Sequence, residues 1–205
     1  MAGDPKLARL LEHPALWRGS SAAQRPGLST GFAALDEQLP GKGWPRSGLI
    51  EILVARFGSG ELSLLLPALA SLTRAHCARW CVWVAPPLMP FAPALASQGV
   101  VLDRVAVVSG AHPLWAFEQA LGSGACDAAL AWARRPLPRE IRRLQLAAER
   151  GRTLGVLFRP RRVARQPSAA VLRLGLEPSG AGVRVSLLKG RSVRRGAVDL
   201  PWPGS

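Results

Sequence analysis

Apolar runs separated by Gly- and Pro-containing turns divide most of the chain into alternating strands and helices. Five runs have the length and composition of buried strands: 49–54, 79–85, 105–108, 126–132 and 154–158. Apolar residues at helical spacing lie between them and predict four helices: 61–75, 90–99, 113–123 and 136–150. This alternation predicts an α/β fold with a mostly parallel central sheet flanked by helices.

The two ends of the chain follow other patterns. Residues 1–27 predict a short amphipathic helix and a linker, and two alternating stretches at 169–177 and 183–188 predict a C-terminal antiparallel hairpin. The stretch 189–205 is basic and rich in Gly and Pro, which favours a flexible tail. We therefore predict one folded domain over 28–188, preceded by a helix and linker and followed by the tail.

A turn of small residues follows the first strand, in the layout of a phosphate-binding P-loop. Gly58, Ser59 and Gly60 form the turn, but Glu61 replaces the Lys that would reach the phosphates and Leu62 replaces the hydroxyl that would hold magnesium. A carboxylate at this place repels a triphosphate. The turn is thus predicted to be a degenerate P-loop, and an ordinary strand-to-helix turn is the alternative interpretation.

The segment before this strand resembles the entrance to a RecA-type core, with Ser29-Thr30-Gly31 and Leu35-Asp36 preceding a Gly-rich turn that ends in Pro45-Arg46-Ser47-Gly48. The resemblance places two further substitutions. Ala85-Pro86-Pro87 stands where a RecA-type strand presents its catalytic glutamate, and Trp132 stands where it presents the acid for hydrated magnesium. We therefore predict no catalytic residue, no cofactor and no metal site.

Charge is distributed unevenly along the chain. The net charge is +14, and residues 134–195 hold 17 of the 27 Lys and Arg but only three acids. The candidate contacts for DNA or a partner in this segment are the following arginines: Arg142, Arg143, Arg159, Arg161, Arg162 and Arg165. Arginine favours bidentate contact with phosphate or carboxylate groups. A solvated surface of high pI is the alternative interpretation.

Composition narrows the class of protein. The chain is 48% hydrophobic and 20% charged, as a globular domain is, and its three cysteines form no metal-ligand or disulfide pattern. No secretory signal or long apolar span is visible in the sequence. These features predict a cytoplasmic protein with reduced thiols and no membrane association.

Longer stretches resemble the ImuA family, the RecA-like proteins of bacterial mutagenesis cassettes. The segments that carry the resemblance are LSTGFAALDEQLPGKGWPRSGLIEIL, GSGELSLLLPAL, WVAPP, EQALGSGACDAALAW, RRLQLAAE, LFRP and QPSAAVLRLGLEP. The resemblance implies a RecA-like core and a non-catalytic adaptor in damage-induced translesion DNA synthesis. The implied partners are an ImuB-like homologue of Y-family polymerases and an error-prone C-family DNA polymerase, with RecA and DNA as further candidates.

Three other functions stay open at this point. An ATP-dependent recombinase or regulator would need a phosphate-binding Lys, a catalytic Glu and a metal-binding Asp, and this sequence has other residues at those three positions. A cell-division inhibitor of the SulA type, a family with a reduced RecA-like core and damage induction, would have a division protein as partner and would cause filamentation. A basic DNA-binding scaffold would need no protein partner, and its affinity would fall steeply with salt.

Overall fold

The computed structural model describes residues 26–180, 182–190 and 196–201. The predicted N-terminal helix, most of the linker and parts of the tail lie outside these residues. The strands are β1 Gly48–Val54, β2 Trp80–Val84, β3 Val105–Val108, β4 Cys126–Trp132, β5 Leu154–Pro160, β6 Leu172–Ser179, β7 Gly182–Lys189 and β8 Ala197–Pro201. The α-helices are α1 Ala33–Gln38, α2 Leu66–Arg74, α3 Ala92–Ser97, α4 Pro113–Gly122 and α5 Pro138–Gly151. Shorter 3₁₀ turns span Glu61–Leu64, Leu102–Arg104 and Arg161–Val163.

The strands of the described region form one mixed sheet of eight, in the order β3-β2-β4-β5-β1-β6-β7-β8. The pairings from β3 to β6 are parallel, whereas β7 pairs antiparallel with both β6 and β8. β1 lies between β5 and β6, and all seven of its residues are buried. A strand covered on both faces reads as a continuous apolar run, which the segment Gly48–Val54 supplies apart from Glu51.

The sheet separates two layers of core. On one face, α4 and α5 pack against the sheet through residues that include Phe117, Leu121, Ile141, Leu144, Leu49 and Leu157. The other face is covered by α1, α2, α3 and the entrance segment, with Trp44, Leu65, Leu69, Trp83 and Phe158 among the buried residues. This arrangement leaves the turns at the carboxyl ends of the parallel strands along one edge, where α/β proteins place their functional groups.

The entrance segment is fixed by short polar contacts. The backbone N–H of Thr30 and the Oγ of Ser29 both donate to the carboxylate of Asp36, each at 2.8 Å. Leu28 and Trp44 then pair across a short bridge, and Trp44 is fully buried. The backbone of Gly43, at φ 154°, lies so close to that of Leu28 that a Cβ on residue 43 would be 2.4 Å from the carbonyl oxygen of Leu28. Only glycine fits, and the segment closes over one face of the core.

Two predicted elements differ from the structure. The helix predicted over 61–75 begins at Leu66, with Pro67 in its first turn, where the missing N–H costs no hydrogen bond. Residues Glu61–Leu64 form a 3₁₀ turn instead. Residues Ala197–Pro201, predicted to be part of a flexible tail, form β8, because their backbone pairs with β7 and Leu200 is buried. The prediction of a flexible tail is wrong for these five residues.

Candidate functional site

The turn after β1 folds around the side chain of Glu61, which is only 3% exposed. Its Oε1 accepts the backbone N–H of Gly58 at 2.8 Å, and its Oε2 accepts that of Ser59 at 2.9 Å. Gly58 and Gly60 have φ values of 79° and 93°, which glycine adopts without strain. Converging backbone N–H groups of this kind bind phosphate in a P-loop. Here they bind a carboxylate of the same chain.

The fourth strand closes the turn from the side of the core. The indole Nε1 of Trp132 donates to Oε1 of Glu61 at 2.9 Å, and the Trp132 ring stacks on Phe158 with ring centroids 4.8 Å apart. Glu61 and Trp132, which the RecA-type resemblance set in place of a phosphate-binding Lys and a metal-binding acid, are therefore bonded to each other. This contact gives both side chains a structural role.

A cavity of about 260 Å³ opens beside the turn, between it and the β6–β7 hairpin. Its charged lining consists of Arg56, Glu61 and Glu177. Glu177 is also paired with Arg161, so this lining has no excess of positive charge that would attract a triphosphate. The turn is therefore a structural element, in which the carboxylate of Glu61 occupies the place where a P-loop binds a nucleotide phosphate.

A row of exposed apolar side chains follows the carboxyl ends of β2 and β3. Leu88, Met89 and Phe91, on the loop after β2, are 69%, 77% and 70% exposed. Val108, at the end of β3, is 37% exposed, and Trp115, in the first turn of α4, is 61% exposed. We call these five residues the apolar rim.

The apolar rim adjoins the degenerate P-loop. Ala85, which follows β2, donates its N–H to the carbonyl of Val108 at 2.8 Å, so the loop leaves the sheet beside β3. A Cβ on Gly58 would lie 3.3 Å from Cδ1 of Leu88, which places Leu88 over the turn. Ala85 has a φ of 49°, uncommon for a residue other than glycine, and this conformation redirects the chain outward.

Large apolar and aromatic side chains in such a group are typical of protein-binding surfaces. Methionine and aromatic residues are enriched at interfaces, and a few of them carry most of the binding energy. β3 is also one of the two edge strands of the sheet, and only one of its sides is paired within the described residues. The apolar rim is therefore the best candidate for a functional site, and its chemistry is that of protein docking.

The arginines predicted as one contact surface are placed in different environments. Arg159 is only 2% exposed, so the surface role predicted for it is wrong. Arg161 pairs with Glu177 at 3.0 Å, while Arg162 and Arg165 are exposed after β5. Arg142 and Arg143 lie on the exposed side of α5. The candidate set is thus divided between α5, β5 and the segment that follows β5, with Arg159 inside the core.

Arg159 belongs to a buried ionic group that the sequence analysis missed. Its guanidinium donates to Oε1 of Glu51 at 2.7 Å, and Arg173 donates to Oε2 of the same carboxylate at 2.6 Å. Arg173 also donates to the carbonyls of residues 163, 164 and 166. The signal that could have found the group is Glu51 itself, because an acid in a fully buried strand needs a buried partner.

A second cavity, of about 960 Å³, lies at the amino ends of β1 and β5. Arg79, on its lining, contacts Asp127 at 2.9 Å and the carbonyl of Gly124 at 2.8 Å. Lys189, also on the lining, donates to the carbonyls of Ser168 and Ala170. Because these cations are engaged within the chain, their role here is structural.

The cysteines and the acids give no sign of redox or metal chemistry in the described part of the chain. Burial raises the pKa of Cys81 to about 12, and burial likewise raises the pKa of Cys126, so both stay protonated near neutral pH. The described residues contain no group of three or more His, Cys, Asp or Glu side chains placed to hold a metal ion. Among the same residues, we find no helix with the length and apolar character needed to cross a membrane.

Comparison with known proteins identifies the family. The sequence profile of the SulA family, described as "Cell division inhibitor SulA", matches residues 48–155. The chain belongs to the SulA family. The SulA cell division inhibitor of Edwardsiella piscicida is 33% identical over 119 residues, which are 57% of this chain and 70% of that protein.

Other SulA proteins are similar over the same region. The SulA cell division inhibitor of Photorhabdus laumondii is 33% identical over 116 residues, and the match spans 55% of this chain and 64% of that relative. The crystal structure of SulA from Pseudomonas aeruginosa is similar with a TM-score of 0.46 and 23% identity, over 54% of this chain and 97% of that one.

The family assignment corrects the resemblance stated above. The ImuA assignment is wrong, because the SulA profile covers β1 to the start of β5 and with it several of the segments that carried the resemblance, among them the degenerate P-loop. The RecA-like fold assignment is wrong as well. The SulA match and the mixed sheet of the described residues do not indicate a RecA-like core.

The function and the partners inferred from that resemblance are wrong for the same reason. An adaptor role in translesion synthesis, an ImuB-like partner, an error-prone polymerase, RecA and DNA are not supported for a chain that belongs to the SulA family. The alternative of a SulA-type division inhibitor is the one that the comparisons favour.

Proposed function

We propose that this protein inhibits cell division by binding a protein of the division machinery at the apolar rim. The observation that carries the proposal is the exposure of Leu88, Met89 and Phe91, which are 69%, 77% and 70% exposed on one loop. Family membership supports it, since the relatives are described as cell division inhibitors. We take FtsZ as the partner to test.

Binding rather than catalysis is the mechanism we propose. Glu61 already occupies the backbone N–H groups that would otherwise bind a phosphate, so the turn contributes a rigid base for the rim. A cytoplasmic location and expression after DNA damage are further parts of the proposal. The free thiols of Cys77, Cys81 and Cys126 suit a reducing compartment.

The test compares the wild-type chain with the triple variant Leu88→Ser/Met89→Ser/Phe91→Ser in a rod-shaped bacterium. Wild-type expression should produce filaments, and purified protein should bind FtsZ and reduce its polymerisation. The triple variant should lose at least tenfold in affinity for FtsZ, because interface anchors of this kind each contribute about 1–2 kcal/mol or more. Cell length and FtsZ sedimentation measure the two effects.

The matched control is Leu102→Ser/Val171→Ser, which changes exposed apolar residues outside the rim. It should filament cells as the wild type does. Normal cell length on wild-type expression, together with no binding to FtsZ, would reject division inhibition. If cells that express the triple variant still form filaments, division inhibition would stand, but the binding surface would lie outside the apolar rim.

A further inference from the structure

The outer side of α5 carries a row of basic residues around one exposed leucine. Arg139, Arg142, Arg143 and Arg150 are exposed, and Leu146 is 54% exposed among them. Their spacing of three or four residues places them along one side of the helix. The opposite side packs into the core through Ile141, Leu144 and Ala148. We call these four arginines and Leu146 the arginine face.

The acids nearest in sequence or contact neutralise only one of the four arginines of this face. Glu118 pairs with Arg143 at 2.6 Å, Glu140 accepts the N–H of Leu137 at 2.6 Å, and Glu149 accepts from Gln145 at 2.7 Å. Within the described residues, Arg139, Arg142 and Arg150 make no ion pair. The local positive charge is therefore available to a partner.

Two of these charges, Arg139 and Arg142, lie where they are unfavourable for the helix itself. Arg139 and Arg142 lie in the first turns of α5, where the helix dipole disfavours cations. Arginines three or four residues apart also repel one another. An external anionic group that binds this face would relieve both effects.

Leu146 decides which kind of anionic partner fits best. A nucleic-acid backbone would use the arginines but would leave an exposed leucine without a contact. A protein segment that combines acidic residues with an apolar side chain would use both. From Arg139 to Arg150 the helix rises about 16 Å, which is three turns of a partner helix.

We propose that the arginine face binds an acidic, amphipathic segment of a protein partner, with glutamates or aspartates on the arginines and an apolar side chain on Leu146. The arginine face shares no residue with the apolar rim, and the proposal does not depend on division inhibition. It adds a second docking surface to the protein.

The probe is a fluorescein-labelled 15-residue helical peptide with glutamates on one side and a central leucine, measured by fluorescence anisotropy. Arg139→Gln/Arg142→Gln/Arg150→Gln should raise the dissociation constant about tenfold, since exposed ion pairs each contribute modestly. The control Arg104→Gln/Arg162→Gln/Arg165→Gln removes three positive charges at other exposed sites and should change the dissociation constant less than twofold. Circular dichroism checks that every variant is folded.

Leu146→Ser separates docking of a protein segment from general charge attraction. This substitution should lower the affinity for the peptide about threefold. The affinity for a second peptide, in which serine replaces the central leucine, should stay unchanged. Equal losses in both triple variants, or no peptide binding to the wild type, would overturn the proposal. So would tighter binding of a 16-base-pair DNA duplex that depends on Arg139, Arg142 and Arg150, because the face would then be a nucleic-acid site.

Discussion

At the scale of single residues, Glu61 turns a phosphate-binding geometry into a structural one. Three donors converge on its carboxylate, from Gly58, Ser59 and Trp132. A buried carboxylate is stable only when such donors satisfy it, and the donors in turn need an acceptor. The side chain therefore couples the turn to β4 and fixes the base beneath Leu88.

Glu61→Ala should lower the free energy of unfolding by about 1–3 kcal/mol, because two backbone N–H groups of the turn and one buried indole N–H lose their acceptor. Glu61→Gln keeps one acceptor oxygen and should lose less. Urea denaturation followed by tryptophan fluorescence measures both changes. Glu37→Ala, at an exposed helical position, is the control and should shift stability by less than about 0.5 kcal/mol. An unchanged midpoint for Glu61→Ala would show that the turn does not depend on this carboxylate.

The sequence predicted the shape of this turn but not its contents. The loss of the phosphate-binding Lys was visible, whereas the bond from Trp132 joins residues 71 positions apart and depends on the β4–β5–β1 order of strands. Arg159 was misplaced for a similar reason. It lies two residues after Leu157 in β5, on the face that also carries Glu51, so strand alternation could have placed it inside.

At the scale of elements, Glu51, Arg159 and Arg173 join three neighbouring strands. Glu51 lies on β1, Arg159 on β5 and Arg173 on β6, and all three side chains are nearly inaccessible to solvent. Two guanidinium groups share one carboxylate, so the loss of that carboxylate would leave two buried cations together. A buried ion pair of this kind is costly to break from one side.

Glu51→Gln should therefore destabilise the protein by about 3–5 kcal/mol, the range found when one partner of a buried ion pair is removed. Thermal and urea unfolding provide the measurement. Asp199→Asn is the matched control, because it breaks the exposed pair with Arg184 and should have little effect. If Glu51→Gln unfolds at the wild-type midpoint, the two arginines do not need this counter-charge.

Elements whose apolar residues form a clear pattern could be predicted from the sequence, and elements without such a pattern could not. The buried run of β1 and the apolar side of α5 stand out in the sequence. In β8 only Leu200 of the five residues is buried, so no alternation marks the strand. Its existence depends on the backbone of β7, a tertiary interaction that a local pattern does not record.

At the scale of the whole molecule, the part that matches SulA is embedded in a larger sheet. The match covers residues 48–155, whereas most of β5 and all of β6, β7 and β8 lie beyond it. The resemblance to ImuA was carried by sequence segments between residues 28 and 178, several of which form the degenerate turn and the strands, and a shared fold does not by itself determine a partner. The partner has to be argued from exposed side chains, which only the structure distinguishes from buried ones.

The strands beyond the matched region should be required for folding. β1 pairs with β6 through residues 50–53, and Leu172, Leu174 and Leu176 extend the core. A chain that ends at Pro160 would make β1 an edge strand, expose its apolar residues and remove Arg173 from Glu51. We expect it to aggregate or to lose cooperative unfolding.

Near-ultraviolet circular dichroism during a thermal scan measures that loss, with the full-length chain as reference. Residues 161–205 supplied as a separate polypeptide should restore part of the cooperative transition, because they return β6 and Arg173 to β1. Cooperative melting of the truncated chain alone would show that the SulA-like part is self-sufficient. The strands β6 to β8 would then be an addition whose role has to be sought in binding rather than in folding.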